Sequence, residues 1–159
     1  MGEEGVNRGG IGRIGLISDT HGLLRPAALA ALEGCDLILH AGDVGKPEIL
    51  DSLRSVAPVV AVRGNVDRMP ELPETAVAAV NGGLVYVIHD VKQIDLNPRA
   101  AGFRAVVSGH SHRPESFERD GVLYINPGAA GPRRFRLPVT VARLDATGER
   151  WTVELVDVG

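Results

Sequence analysis

A short apolar run that stops on polar residues and is followed by a return segment recurs along this chain at nearly constant spacing, and that rhythm limits the fold more than any other feature. Residues 14–17 form the first run. Pro26 suits the first turn of a helix that stops at Gly34, and residues 36–40 form the second run. Pro47 opens another helix through about Ser55, and residues 58–62 complete a βαβαβ pattern. That pattern predicts parallel strands joined by right-handed crossovers. The second half reads differently. Asn81-Gly82-Gly83 separates strands at 75–80 and 84–88, Asp120-Gly121 separates 115–119 from 122–125, and Ala146-Thr147-Gly148 separates 139–144 from 150–156. A helical segment ending near Gly102 precedes a further strand at 105–107. A parallel beginning followed by hairpins predicts an α/β sandwich of two packed sheets with helices outside, rather than one doubly wound sheet. The domain spans 13–159, after a flexible tail over 1–12.

The chain's 159 residues are enough for a core without staples, and its 44% hydrophobic and 23% charged residues exclude overall disorder. Lys and Arg number 17 against 20 Asp and Glu, and this slight acidity argues against a general nucleic-acid or membrane surface. Cys35 is the single cysteine, so no intrachain disulfide forms and a reducing compartment is the simplest reading. The first ten residues carry no signal-like apolar core, no run of 18 apolar residues follows, and Val6 stands where a myristoylation motif needs Ser or Thr. The expectation is a soluble cytoplasmic protein, with room for a homo-oligomer through an edge strand or apolar patch.

The chemistry collects where the apolar runs end. Asp19 and His21 follow the first strand, Asp43 the second, Asn65 the third, His89 ends the strand at 84–88, and His110 and His112 follow 105–107. From Asp19 onward the steps to Asp43, Asn65, His89 and His110 are 24, 22, 24 and 21 residues, about one strand and one return each. If each return comes back to the same edge, these side chains meet at the carboxyl ends of neighbouring strands, where α/β sheets place their sites. Asp-x-His and His-x-His put alternate side chains on one side of an extended chain, so each pair grips one ion. Imidazoles mixed with carboxylates and an amide oxygen suit Mn, Fe or Zn, and seven ligands suit two ions sharing a carboxylate. Taken singly, each Asp reads as a helix cap and each His as a hydrogen-bonded structural residue. Five positions at near-equal spacing read as a metal site.

Other signals carry less. Gly10-Ile-Gly12-Arg-Ile-Gly15 fits a dinucleotide loop in letters but precedes a strand instead of following one. Arg133 and Arg134, after Asn126-Pro-Gly128, form either a phosphate-binding turn or a solvated basic one. His40 reads as a packed residue beside the site, and Trp151 as core.

The ordered set Asp19-x-His21, Gly42-Asp43, Gly64-Asn65, His89 and Gly109-His110-Ser111-His112 resembles the calcineurin-like metallophosphoesterase superfamily, from about Arg13 to Val156. Ser18 to Gly22, His40 to Asp43, Arg63 to Asp67 and Asn126 to Gly128 look like its small bacterial and archaeal phosphodiesterase branch, the YfcE-like proteins. The resemblance implies a four-layer sandwich of two mixed sheets flanked by helices, with two divalent metal ions, foremost Mn, with Fe, Ni or Zn as alternatives. It implies that Asp19, His21 and His112 bind one ion, that Asn65, His89 and His110 bind the other, and that Asp43 bridges them. The implied reaction is hydrolysis of a small phosphate ester, foremost a diester, by in-line attack of a hydroxide bridging the ions. Asp43, Asn65, His110 and Asp67 then stand nearest the reaction, and Asn65, Arg133 and Arg134 nearest the substrate. Much of the superfamily has His after the Gly-Asn pair; here Val66 stands there, followed by Asp67, so the general acid is unassigned. Asp67 either orients a ligand or caps the next turn. The superfamily also includes a retromer subunit, Vps29, that serves in assembly, so a protein-binding scaffold is the alternative reading.

Overall fold

The computed structural model describes residues 10–159. Ten strands form two five-stranded sheets. The first sheet runs β10 (Thr152–Asp157), β9 (Thr140–Asp145), β1 (Arg13–Ile17), β2 (Leu37–His40), β3 (Val59–Ala61). The second runs β4 (Thr75–Val80), β5 (Gly83–Ile88), β6 (Phe103–Val107), β8 (Val122–Asn126), β7 (Glu115–Arg119). Both are mixed: β1, β2 and β3 are parallel, as are β5, β6 and β8, and the remaining neighbours pair antiparallel. Each sheet therefore has three parallel carboxyl ends side by side.

Alternation along the strands explains the layers. Ile14 and Leu16 of β1, Leu37 and Leu39 of β2, Val85 and Val87 of β5, and Ala105 and Val107 of β6 meet in one core between the sheets. The opposite faces of β1 and β2 show Ile17 and Ile38 to α1 (Pro26–Ala31) and α2 (Pro47–Arg54), which contribute Ala28, Leu50 and Leu53, with Leu32 capping the end of α1. Each helix has its proline in the first turn, where the missing N–H is unpaired anyway. No helix among the described residues is long and apolar enough to cross a membrane.

Three expectations change. The segment before β6 is a 3-10 turn at Val91–Gln93 and a series of turns, not a helix reaching Gly102. Its Val91, Ile94 and Leu96 lie on Tyr86, Ile88 and Val106, so this stretch follows the outer face of the second sheet as its fourth layer. The last hairpin pairs Asp145 with Thr152, which lengthens its connection to 146–151. Trp151 is the reason: it is buried against the inter-sheet core, with the Arg104 guanidinium 4.1 Å from its ring. The tail expected over 1–12 falls outside the described residues as far as 9. Ile11 and Gly12 are part of the fold, because the Ile11 carbonyl accepts from Asn81 N–H and the Gly12 carbonyl from Ala146 N–H. Cys35 is buried, and burial pushes its thiol up, so it packs and stays protonated.

Candidate metal centre

The carboxyl ends of β1, β2 and β3 meet those of β5, β6 and β8 at one edge of the sandwich. Seven non-glycine residues among those described have positive φ, and five are predicted site residues: Asp19 (55°), His21 (46°), Asp43 (56°), His110 (70°) and His112 (64°). L-residues avoid this region, and where it persists the surroundings must over-determine it. They do. Asp19 N–H donates to the Gly42 carbonyl (2.9 Å), His21 N–H to Asp43 (2.9 Å) and Gly22 N–H to Val44 (2.8 Å), which ties the loop after β1 to the loop after β2. Gly109 N–H donates to the His89 carbonyl (2.9 Å) and His110 N–H to Asp19 Oδ2 (3.0 Å), which ties the loop after β6 to both sheets. Gly64 and Gly109 are needed for closeness: a Cβ at Gly64 would overlap the Asp43 carboxylate, and one at Gly109 would overlap Ser18 Oγ.

The side chains converge accordingly. Asp19 Oδ1 lies 3.3 Å from His112 Nε2 and 3.6 Å from His21 Nε2, while its Oδ2 accepts from Ser18 Oγ at 2.7 Å. Asp43 Oδ2 lies 3.3 Å from His89 Nε2 and 3.6 Å from His21 Nε2, while its Oδ1 accepts from Val66 N–H at 2.9 Å. Two groups, Asp19 with His21 and His112, and Asp19 with Asp43 and His89, each bring one donor atom per residue within 4.8 Å of the others. Asp19 Oδ1, His21 Nε2 and His89 Nε2 are buried with no hydrogen-bond partner. Buried polar atoms are normally satisfied, and cations held at these two groups would satisfy them. The mixed N and O donors fit a divalent transition ion.

The electrostatics agree. Burial pushes the Asp19 carboxyl up, but hydrogen bonds with His112, His21 and Ser18 overcome it and hold the group well below the usual carboxylate range. Asp43 follows the same balance, with His89 and the Val66 amide outweighing burial. Burial lowers His89, yet the hydrogen bond to Asp43 more than restores it, so its pKa lies above that of free histidine. The Ala41 carbonyl, 2.7 Å from His89 Nδ1, takes that ring proton and leaves Nε2 to face Asp43. A proton and a metal ion compete for the same Nε2 lone pair.

Behind the ligands stands a frame of polar residues. His40 is fully buried, and desolvation pushes it down to about 4, so it is neutral. Its Nδ1 accepts from Gly42 N–H (3.1 Å), which makes Nε2–H the donor to Thr20 Oγ1 (3.0 Å), and Thr20 passes its own proton to the Val44 carbonyl (2.8 Å). Asp67 accepts from Gly45 N–H (3.0 Å) and Gly64 N–H (2.9 Å), one on each oxygen. This carboxylate is a strut between the loops after β2 and β3. Asn126 donates to the Gly109 carbonyl (2.9 Å) and to Ser111 Oγ (3.0 Å), and so holds the loop bearing His110 and His112.

Two predicted ligands and two predicted substrate contacts stand apart from the tight groups. Asn65 is exposed. His110 packs edge-on against His89 with ring centroids 5.2 Å apart, and its Nε2 lies 3.8 Å from Asp90 Oδ2. Arg133 donates to Leu137 carbonyl within its own turn, and Arg134 is exposed on the same turn. Sequence reasoning missed Ser18 and Asp90, whose one signal is adjacency to Asp19 and His89, and missed the work of Asn126.

The model of the calcineurin-like phosphoesterase superfamily domain matches residues 13–149. A probable metallophosphoesterase of Methanothermobacter thermautotrophicus is 34% identical over 161 aligned residues, covering 92% of each chain. Among solved structures, a novel archaeal phosphodiesterase superposes with a TM-score of 0.76 at 20% identity, covering 91% of this chain and 99% of that one. Vps29 of Entamoeba histolytica, complexed with zinc, superposes with a TM-score of 0.72 at 22% identity, covering 92% and 99%. These likenesses support the two-sheet fold.

Proposed function

The chain belongs to the calcineurin-like phosphoesterase superfamily, and from that premise we propose that it is a metal-dependent phosphodiesterase with a dinuclear centre. One observation carries the reading: Asp43 Oδ2 is within 3.6 Å of a nitrogen from each side, His21 at 3.6 Å and His89 at 3.3 Å. A single carboxylate oxygen so placed is what a bridge between two ions requires. Asp19, His21 and His112 would hold one ion, His89, Asn65 and His110 would hold the other, and Asp43 would join them. Manganese is the ion we expect first, with Fe, Ni and Zn suited to the same donors. Two divalent ions there supply an activated water and the positive charge that stabilises phosphoryl transfer.

The chain's own residues do the rest. Ala41 fixes the His89 tautomer so that Nε2 points inward, and Ser18 and the His110 amide hold Asp19 Oδ2, which leaves Oδ1 for coordination. Asn65, exposed at the mouth, reaches the substrate phosphoryl oxygens, and Arg133 and Arg134 add charge from their turn. The buried single cysteine fits a reducing, cytoplasmic setting. A second reading, a protein-binding scaffold, rests on the likeness to Vps29. A Vps29 solved with zinc means that metal ligands alone do not separate scaffold from enzyme. Turnover does. Chelator-stripped protein given an activated phosphodiester is expected to turn over only after Mn²⁺ is added, and Asp43→Ala to lose at least about a hundredfold, in keeping with the loss of a direct ligand and its charge. Folded protein without turnover under Mn, Fe, Ni or Zn would favour the scaffold.

A further inference from the structure

The four histidines at this edge do not pair alike. His21, His89 and His112 each bring Nε2 to a site carboxylate, 3.3 to 3.6 Å from Asp19 or Asp43. His110 pairs its Nε2 with Asp90 instead, whose Oδ2 lies 3.8 Å away. That carboxylate is pinned. Asp90 caps the 3-10 turn Val91–Gln93, with Oδ1 accepting from Lys92 N–H at 3.0 Å, so Oδ2 is the oxygen left over. The histidine is placed from its other end as well, because His110 N–H donates to Asp19 Oδ2 at 3.0 Å and the ring packs edge-on against His89. Its side chain is 46% exposed and has room to close the remaining gap to hydrogen-bond length. A neutral imidazole has one N–H and one lone pair, and a carboxylate accepts but does not donate. Against Asp90, Nε2 therefore carries the proton and Nδ1 keeps the lone pair.

We infer that Asp90 is a positioning residue for the second ion: it holds the His110 ring by Nε2, presents Nδ1 for coordination and lends that ligand set a negative charge through the ring. The inference rests on the dinuclear reading above. Charge supports it. The first ion would have Asp19 to itself besides the shared Asp43, whereas the second would draw on Asn65, His89 and His110, which are all neutral donors. Asp90 is the carboxylate paired with that set. A carboxylate behind a ligating imidazole fixes the ring and raises its basicity, and losing one costs about ten- to a hundredfold in metal affinity.

Asp90→Ser separates this role from the cap, because serine caps a turn about as well as aspartate but is too short to reach His110. The urea midpoint of metal-free Asp90→Ser is expected to match wild type. Calorimetric titration with Mn²⁺ should show the second of two binding steps weakened at least about tenfold and the first unchanged. Asp90→Asn, whose amide oxygen still accepts from Nε2–H, restores the ring's placement without the charge and should fall between. If the serine variant's midpoint drops, Asp90→Asn carries the test alone by the same comparison of steps. In Zn²⁺-loaded protein, nitrogen-15 ring spectra should show His110 protonated on Nε2 and coordinated through Nδ1, the reverse of His89. Coordination through Nε2 overturns the inference, as does an unchanged second step or equal weakening of both steps. One ion per wild-type chain would instead remove the dinuclear reading. The contact is then judged by the His110 Nε2 proton: slower exchange in wild type than in Asp90→Ser upholds it, and equal exchange rejects it.

Discussion

The two sheets end in different chemistry. The first sheet, backed by α1 and α2, delivers both site carboxylates, Asp19 and Asp43, together with His21. The second, backed by a loop and one 3-10 turn, delivers only imidazoles, His89, His110 and His112. Contacts within the first sheet, His21 to Asp19 and to Asp43, are 3.6 Å, whereas those across the sandwich, His112 to Asp19 and His89 to Asp43, are 3.3 Å. Anionic oxygen from one layer thus meets nitrogen from the other, and neither sheet alone holds a ligand set. The centre is a property of how the layers pack.

Acid is the strongest way to break the first sheet's share. His40 lies on its helix-facing side with a pKa of about 4 against 6.5 for the ordinary side chain, so between those values the unfolded chain takes up a proton that the folded one refuses. The stabilisation is fully present above pH 6.5 and is lost as pH falls to 4; at 1.36 kcal/mol per unit it amounts to roughly 3 kcal/mol. His89, with a raised pKa, contributes in the opposite sense, so the measurement is a difference. Urea midpoints of metal-free wild type and His40→Gln across this range should fall further in the wild type, the difference between the two curves being the share of His40. Parallel curves would detach it from His40.

The packing itself is sharpened by a pair of like substitutions. Val87 faces the inter-sheet core and Val106 the outer loop, and both are fully buried. Val87→Ala and Val106→Ala should each lower stability by about 2 kcal/mol, yet only Val87→Ala should also weaken Mn²⁺ binding, read by calorimetric titration. Equal loss of affinity in both would mean that the centre does not sense the interface. The smallest effect belongs to the strut of the second sheet. Asn126→Ala should cost about 1 kcal/mol in unfolding free energy and about tenfold in metal affinity. Unchanged affinity would leave the loop of His110 and His112 holding itself.

The candidate ligands are legible because they are a matter of residue type and spacing, and the parallel strand ends that gather them follow from the βαβαβ rhythm. What was hidden depends on partners far away in the chain. Asp67 reads as orienting a ligand or capping the next turn, and the donation from Gly45, 22 residues earlier, is not visible in the local pattern. Val91 and Ile94 stand three apart, as in a helix, and the segment reads as one; the apolar face of Tyr86 and Val106, on which they lie with Leu96, is not visible in the local pattern. Trp151 was read as core, and the consequence, a longer final hairpin loop, followed from where the core lay.

The five candidate ligands at positive φ set stability and the proposed function against each other. A left-handed conformation costs a side chain roughly 1 kcal/mol or more, and glycine escapes that penalty. Selection for heat resistance alone would therefore drift toward glycine at positions such as His110 and His112, trading the centre for a sturdier shell. The histidines and aspartates that stand there hold a chain of this design below the stability its scaffold permits.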